Sequence, residues 1–241
     1  LRIRIPGWVQ NQALPSDLYH FTEVSSEQYV IQVNGEKTAP DVESGYAVLN
    51  RNWKKGDRVD INFPMPVHRV AANPEVANDR GKLAYQRGPL VYCFEDKDNG
   101  NGWMFDHFIS PEAKVESRFE ENLLGGVVTL TVNGKKVIQS GSSKSIESVV
   151  LKAIPYYSWN NRGTSNMLIW MPYQESTAIC KPVSSPTDSA KTLASTDWAP
   201  GLNDGFDPKN SGDTDKSYFY WWLRKGTEES VDYEFKEPVI I

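Results

Sequence analysis

Apolar and polar residues alternate along much of the first third of the chain, as they do in half-buried antiparallel strands. The opening segment LRIRI alternates Leu and Ile with Arg, and Pro6-Gly7 ends it. The segment YVIQVNGEK predicts a hairpin in which Asn34-Gly35 supplies the positive φ angles of a type I′ turn. In RVDINF, Val59, Ile61 and Phe63 fall on one face of a strand. These segments together predict one layer of a sandwich.

The pattern loosens between about residues 64 and 82 and then resumes as short strands. LAYQRGPLVYCFE predicts two strands that pivot on Gly88-Pro89, and the Gly- and Asp-rich residues 96–102 predict a long loop. A second β block runs from about Ala113 to Pro172, and its segment LTVNGKK predicts another hairpin, at Asn133-Gly134. A serine-rich loop, GSSKS, follows that hairpin.

These blocks predict an all-β fold of tandem antiparallel β-sandwich or jelly-roll domains with little helix. We expect a first sandwich over residues 1–95, a second over 96–175, a linker over 176–195, and a truncated β domain over 196–241. The linker is expected from its Ser, Thr, Pro and Ala content. Because the chain begins inside one strand pattern and ends inside another, we expect it to be part of a longer polypeptide.

The composition of the chain argues against several classes of protein function. The 241 residues are 39% hydrophobic, enough to bury a core, and 12% aromatic, which suits pleated sheets. The formal net charge is −5 and the 26 Lys and Arg residues are scattered, which argues against binding to nucleic acid or to an anionic membrane surface. There is no apolar stretch of about 18 residues, so no membrane span is expected.

The thiols and imidazoles do not form a recognisable metal or nucleophile motif. Cys93 and Cys180 are far apart and are expected to be lone thiols rather than a disulfide. His20, His68 and His107 have no His or Cys neighbours in the sequence, and no Ser lies in a G-x-S-x-G turn. The sequence therefore predicts no catalytic residue within this chain.

Carboxylates are the next candidates, because a glycosidase needs two of them on either side of the scissile bond. Four lie beside the Gly- and Asp-rich loop predicted over residues 96–102, namely Glu95, Asp96, Asp98 and Asp106. A flexible Gly-rich loop keeps carboxylates in water, where their pKa stays ordinary. We expect these four to be solvated loop residues.

The last sixty residues hold the candidate binding residues. In SYFYWWLR, Tyr220 and Trp222 fall on one strand face and predict a stacking surface for a sugar, or else packing against a core or neighbouring domain. The same two alternatives, a stacking surface for a sugar or packing against other parts of the protein, apply to Trp159. Asp204, in an Asp- and Gly-rich loop, is the candidate ligand of a structural calcium ion, although Asp-Gly is also plain turn chemistry.

Several motifs in order resemble one known family. GYAVLNRNWKKGD, FPMPVHRV, NPEV and LAYQRGPLVYCFE, followed by LLGGVV and AIPYYSWNNRG, resemble the sandwiches that follow the barrel in glycoside hydrolase family 127, the β-L-arabinofuranosidase family. The likeness covers about the first 173 residues. The tail from about residue 190 resembles the start of a galactose-binding-like domain.

The resemblance implies a retaining mechanism with a zinc-bound cysteine thiolate, a Glu and further Cys ligands, all in an upstream (α/α)₆ barrel. None of those motifs occurs in this chain, and Cys93 lies in a sandwich motif, so zinc is expected only in the barrel. The resemblance also implies export from a bacterium to the periplasm or outside.

The leading hypothesis is a non-catalytic accessory region of a bacterial hydrolase that degrades arabinose-containing plant glycans. Its expected partners are the upstream barrel of the same chain, plant-type glycans and a second copy in a homodimer. The alternatives are a carbohydrate-binding module that uses the tail aromatics and a structural adhesion sandwich.

Overall fold

The computed structural model describes residues 1–100, 102–140, 143–180, 190–195, 226 and 228–236. The chain divides into two compact units, Leu1–Lys181 and Pro182–Ile241. Strands dominate the described residues, which confirms the all-β class predicted from the sequence. None of the helices in these ranges is long and apolar enough to cross a membrane.

The first unit is a series of short strands with two long ones near its end. In chain order they are β1 (Arg2–Arg4), β2 (Tyr19–Phe21), β3 (Val30–Val33), β4 (Glu36–Thr38), β5 (Asp41–Glu43), β6 (Tyr46–Val48), β7 (Val59–Asn62), β8 (Val67–Ala72), β9 (Lys82–Arg87), β10 (Leu90–Glu95), β11 (His107–Phe108), β12 (Val115–Glu120), β13 (Val127–Ser140), β14 (Ser143–Pro155), β15 (Met167–Leu168) and β16 (Met171–Pro172). The helical segments are single turns: α1 (Asp96–Asn99) and the 3₁₀ helices Gly7–Gln10, Ala77–Asp79, Tyr156–Ser158 and Glu175–Thr177.

Two three-stranded antiparallel sheets form the first layer, in the orders β1-β6-β5 and β4-β3-β7. Their core consists of the buried side chains Ile5, Ile31, Val33, Ala47 and Leu49. The turn between β3 and β4 has φ angles of 55° at Asn34 and 84° at Gly35, which confirms the hairpin predicted there.

A larger antiparallel sheet follows, in the order β11-β13-β14-β10-β9-β8-β2, with β12 beside β13, β15 beside β10 and β16 beside β9. β9 and β10 pair through the Gly88-Pro89 turn, as the sequence predicts. β10 pairs with β14 at Cys93 and Ile154. The expected division between residues 95 and 96 therefore falls inside this sheet, because strands from both sides of it are hydrogen-bonded neighbours.

The hairpin predicted at Asn133-Gly134 is wrong. β13 continues through both residues, Gly134 pairs with Val149, and the chain reverses only after Ser140, which pairs with Ser143. A Cβ atom at Gly134 would lie 2.6 Å from Cδ1 of Leu151. The glycine is therefore required here by close packing in a strand and not by a turn.

Two further expectations change within this unit. Residues 96–99 of the predicted loop form the helical turn α1, and Ser143 to Ser145 of the predicted GSSKS loop belong to β14. α1 packs against β14, and Ser143 to Ser145 pair with the end of β13, and local sequence reveals neither of these partners.

The second unit contributes one described strand pair. β17 (Lys191–Ala194) pairs with β18 (Val231–Glu234), and Lys191 Nζ lies 3.1 Å from Glu234 Oε2. Val231 and Tyr233 are partly buried while Asp232 and Glu234 are exposed, as the alternation in the sequence predicts.

Candidate functional site

The predicted binding residues Tyr220, Trp222 and Asp204 lie outside the described residues. The sugar surface and the calcium ligand remain predictions. The part of the chain that the structure does describe contains a different cluster, which sequence reasoning did not assemble.

The four candidate carboxylates are not all solvated. Glu95 is completely buried, Asp96 and Asp106 are buried, and Asp98 is only partly exposed. The expectation of solvated loop residues is therefore wrong. For Glu95, Asp96 and Asp98 the physical reason is that α1 packs against β14 and is hydrogen-bonded to the loop that follows β14, which excludes water from this side of the sheet.

Arg162 binds two of these carboxylates. Its Nη1 donates to Asp98 Oδ1 at 3.0 Å, and its Nη2 donates to Asp98 Oδ2 and to Glu95 Oε2. The fork of the guanidinium suits paired oxygens of this kind. We call Glu95, Asp98 and Arg162 the Glu95 cluster.

Further hydrogen bonds fix the chain around this cluster. Glu95 Oε1 accepts from the backbone N–H of Asn160 and from the hydroxyl of Ser165, both at 2.9 Å. The backbone N–H of Asn166 donates to Asp96 Oδ2 at 3.2 Å, and Lys97 Nζ donates to the carbonyl of Arg162. These bonds attach residues 156–166, which we call the aromatic loop, to the region of α1.

The electrostatics of the cluster favour the charged forms of Glu95 and Arg162. Burial alone would raise the pKa of Glu95, but hydrogen bonds from Arg162, Asn160 and Ser165 hold that pKa below its usual value. The two carboxylates in turn raise the pKa of Arg162, with the hydrogen bonds to Asp98 as the largest cause. Glu95 is therefore held in its ionised form and bound to the Arg162 cation.

This arrangement is suited to holding the aromatic loop in place and not to acid–base catalysis. A glycosidase holds its two carboxylates about 5 to 9.5 Å apart with the sugar between them. Here a guanidinium bridges the two carboxylates, and both accept its hydrogen bonds. The cluster can anchor a loop, and Glu95, which its hydrogen bonds keep ionised, has no proton to donate.

Cys93 does not suit a nucleophile or a metal ligand. Its side chain is completely buried, and burial, followed by the negative charge of Glu95, raises the pKa of the thiol to about 12. A thiolate is the form that attacks carbon or binds zinc. At neutral pH Cys93 is a thiol. Cys180, as expected, is also free of a disulfide.

The histidines occupy separate environments. His68 is buried and stacks on Phe21, with ring centroids 4.0 Å apart, and burial lowers its pKa. His107 is buried with its Nδ1 2.7 Å from Asp106 Oδ1, although the two atoms are not aligned for a hydrogen bond. No group of three or more His, Cys, Asp or Glu side chains in the described ranges could hold a metal ion.

The aromatic loop presents flat rings at the surface. Tyr157 is 65% exposed and Tyr156 is 42% exposed. The rings of Tyr156 and Trp159 are nearly parallel, at 10°, with centroids 6.0 Å apart. Nε1 of Trp159 donates to the carbonyl of Ser165 at 3.3 Å, so this indole is partly buried and its polar atom is satisfied.

Sequence reasoning singled out Glu95, Asp98 and Trp159 but did not find their partners. Arg162 lies 67 residues from Glu95 along the chain, and Ser165 lies 70 residues away. No periodicity or local motif connects residues at such separations. The signal available was an Arg in the NNRG turn and a separate block of acids at residues 95–98, and such a combination is too common to identify a pair.

Family models match nearly all of the first unit. Residues 1–65 match the β-L-arabinofuranosidase GH127 middle domain, and residues 67–172 match the glycoside hydrolase family 127 C-terminal domain. The junction between the two matches lies just before β8. The galactose-binding-like start expected in the tail lies outside both matches.

Individual proteins agree with these matches. The chain is 32% identical over 182 residues to a non-reducing end β-L-arabinofuranosidase of Bifidobacterium longum subsp. longum, covering 70% of this chain and 25% of that enzyme. Among solved structures, it is similar to a GH127 β-arabinofuranosidase at 34% identity with a TM-score of 0.70, covering 75% of this chain and 28% of that one.

A second solved structure, a GH127 β-L-arabinofuranosidase from Geobacillus stearothermophilus T6, is 36% identical with a TM-score of 0.58, covering 71% of this chain and 26% of that one. The chain thus spans about a quarter of the length of each of these relatives. The resemblance seen in the sequence motifs is confirmed, and the chain belongs to glycoside hydrolase family 127, of which it carries the middle and C-terminal domains.

Proposed function

We propose that this chain is the non-catalytic accessory region of a glycoside hydrolase that acts on β-L-arabinofuranosides of arabinose-containing plant glycans. Its partner in this proposal is an (α/α)₆ catalytic barrel in the same polypeptide, upstream of Leu1. One observation carries the proposal: the chain matches the two family domains over residues 1–65 and 67–172 but spans only about a quarter of the relatives.

The chemistry of the described residues supports the same proposal. The carboxylates Glu95 and Asp98 both bind the guanidinium of Arg162 rather than lying on either side of a substrate. The zinc-bound thiolate that the family implies does not fit the described residues either, because Cys93 is completely buried and no group of three or more His, Cys, Asp or Glu side chains among these residues could hold a metal ion. We therefore assign no step of hydrolysis to this chain and place zinc only in the barrel.

The proposal also covers the location of the polypeptide and its oligomeric state. The polypeptide is exported from a bacterium to the periplasm or the outside, where plant glycans are met, and it pairs as a homodimer. These two statements rest on the family resemblance. The two thiols, Cys93 and Cys180, are free, so the described fold does not depend on a disulfide.

The reading frame upstream of Leu1 tests the proposal. We expect several hundred residues with a helical-barrel pattern, a clustered-cysteine motif and a Glu. A signal peptide directly before Leu1, or an unrelated upstream domain, would contradict the proposal and favour a stand-alone sugar-binding or adhesive sandwich.

A further inference from the structure

The hydroxyl of Tyr92 has no hydrogen-bond partner among the described residues. Tyr92 lies in β10 and is completely buried, and a phenol can both donate and accept a hydrogen bond. An unpaired polar group inside a protein destabilises the fold, because it loses its hydrogen bonds to water and gains none in return. The few such groups in native structures therefore call for a specific explanation.

Two residues that reach the surface lie beside this hydroxyl. Arg87, which is partly exposed, pairs with Leu90 across the β9–β10 hairpin, so it lies on the same face of the sheet as Tyr92. Tyr92 pairs with Pro155, two residues before Tyr157. Burial is the largest cause of the raised pKa of Tyr92, and the groups that act on that pKa besides are Arg87 and Tyr157. The hydroxyl is therefore close to a guanidinium and to an exposed phenol.

Arg87 is available to a ligand. Within the described ranges its guanidinium has no ion pair, and it is not aligned for a hydrogen bond with the hydroxyl of Tyr92. Arg162 differs, because both of its terminal nitrogens are bound to carboxylates. A guanidinium presents five N–H donors in a fixed plane. Arg87 and Tyr92 thus offer unused donors close together on one face of the sheet.

The aromatic loop adds flat rings and amides, and its Tyr157 lies beside these donors. Tyr157 is 65% exposed and Tyr156 is 42% exposed, and Asn160 and Asn161 are exposed as well. The backbone N–H of Asn160 donates to Glu95 at 2.9 Å, so the buried Glu95 cluster holds the loop in one conformation. A loop that is ordered before binding avoids the entropy cost of ordering at the moment of association.

These groups match the chemistry of a saccharide. A sugar ring has an apolar C–H face that packs on an aromatic ring, and its hydroxyls both donate and accept hydrogen bonds, as phenols and amides do. An apolar protein surface would leave the guanidinium of Arg87 and the amide of Asn160 without partners, which opposes binding. Among these groups only Arg87 is charged, so an acidic surface is poorly matched as well.

We infer that the surface around Tyr92, formed by Arg87 and the aromatic loop, is a subsite for a saccharide of arabinose-containing glycans. This inference rests on the function proposed above, which supplies that class of ligand. The ring of Tyr157 stacks on the sugar, and Arg87 donates to oxygens of its hydroxyl groups. A sugar hydroxyl gives Tyr92 the hydrogen-bond partner that the described residues do not supply.

Hydroxyl-radical footprinting of the complete polypeptide tests this subsite locally. An α-linked arabino-oligosaccharide is the probe, since an enzyme for β-linkages leaves it intact, and the oxidation of Tyr157 is read by mass spectrometry. Phe119 is the matched reference, because it is 62% exposed and corrects for radicals that the sugar consumes. We expect the saccharide to slow the oxidation of Tyr157 about threefold or more relative to Phe119, since a bound ligand and its site lose most of their exposed surface.

Oxidation of Tyr157 at the same rate with and without the saccharide would overturn the inference. Strong protection of Tyr157 before any saccharide is added, relative to its rate in urea, would overturn it as well, because another part of the polypeptide would then cover the ring. Hydrolysis of an aryl β-L-arabinofuranoside by the same sample reports separately on the proposed function. An active enzyme whose Tyr157 gains no protection refutes only the subsite, whereas protection in an inactive polypeptide refutes only the function.

Two variants that each lose one oxygen atom test Tyr92 itself. Tyr92→Phe removes the buried hydroxyl and keeps the ring that packs in the core. It should raise the saccharide concentration that half-protects Tyr157 by about threefold to tenfold, which corresponds to one hydrogen bond. Tyr85→Phe is the matched control, since the hydroxyl of Tyr85 is also buried and without a partner in the described ranges but lies beside Arg69.

Tyr85→Phe should change that concentration by less than about twofold, because the substituted atom does not touch the subsite. An equal concentration for Tyr92→Phe and the parent would contradict the subsite.

Discussion

Arg162 binds Asp98 with both of its terminal nitrogens, at 3.0 Å from Nη1 to Oδ1, and through the same guanidinium it also binds Glu95, which has no contact with water. Removing one partner of a buried ion pair leaves an uncompensated buried charge. This usually destabilises the fold more than replacing both partners by apolar residues does. This relationship makes Arg162 the residue on which the aromatic loop depends.

Replacing Arg162 by Met tests that dependence. We expect Arg162→Met to lower the free energy of unfolding by roughly 3–5 kcal/mol, because Glu95 stays buried without its cation. Arg2→Met is the matched control, since the Arg2–Glu43 pair is 2.8 Å long but more than half exposed on both sides. The control should cost no more than about 1 kcal/mol. Urea unfolding measures both, and equal losses would contradict the assigned role of Arg162.

The lowered pKa of Glu95 predicts how stability depends on pH. Because the folded-state pKa lies below the unfolded value, this group stabilises the fold above the unfolded pKa, near 4.5, and that contribution is lost as the pH falls through the folded pKa. Glu95→Gln should therefore be less stable at pH 7 and should lose less stability between pH 5 and the acid limit. Urea midpoints across that range measure the difference. Parallel curves for parent and variant would be inconsistent with the shift.

The two cysteines should differ in reactivity. Cys93 is fully buried and its thiol has a pKa of about 12, whereas Cys180 is partly exposed. A disulfide reagent at pH 8 should therefore react quickly with one thiol in the native chain and with two in urea. In Cys180→Ser the fast reaction should disappear. Rapid loss of both thiols from the native chain would show that the β10 region is open to solvent.

The close approach at Gly134 predicts a coupled pair of substitutions. Gly134→Ala places a Cβ atom 2.6 Å from Cδ1 of Leu151, and overpacking of this kind costs about 1–3 kcal/mol. In a Leu151→Ala background the same substitution should cost less, since the nearest obstructing atom is gone and the carbonyl oxygen of Phe108, at 3.2 Å, remains. Unfolding of the four proteins in urea gives the coupling energy. A cost that is equal in both backgrounds would favour a different conformation at residues 133–134.

The two Asn-Gly pairs show how far local sequence determines this fold. Asn34-Gly35 forms the predicted turn because its flanking strands are short and pair only with each other and with β7. Asn133-Gly134 has the same dipeptide in a similar setting, yet it lies inside a strand of fourteen residues. Pairing of β13 with β14 over residues 130 to 153 outweighs the local turn preference.

The candidate site likewise shows that local sequence does not determine all of the structure. The segment from Asp96 to Gly102 has the composition of a solvated loop, and nothing nearby in sequence predicts burial of Glu95. Its buried state depends on Arg162, Asn160 and Ser165, all at least 65 residues away. Strand alternation and the order of family motifs, which are local signals, predicted the all-β class and the family correctly.

The rate at which an aryl β-L-arabinofuranoside is hydrolysed tests the central claim most directly, with the 241-residue chain and the complete polypeptide assayed side by side. The account predicts turnover by the complete polypeptide and none by the chain, whose acids are paired and whose buried thiol is protonated. Hydrolysis by the chain at a rate comparable to that of the complete polypeptide would contradict a non-catalytic role.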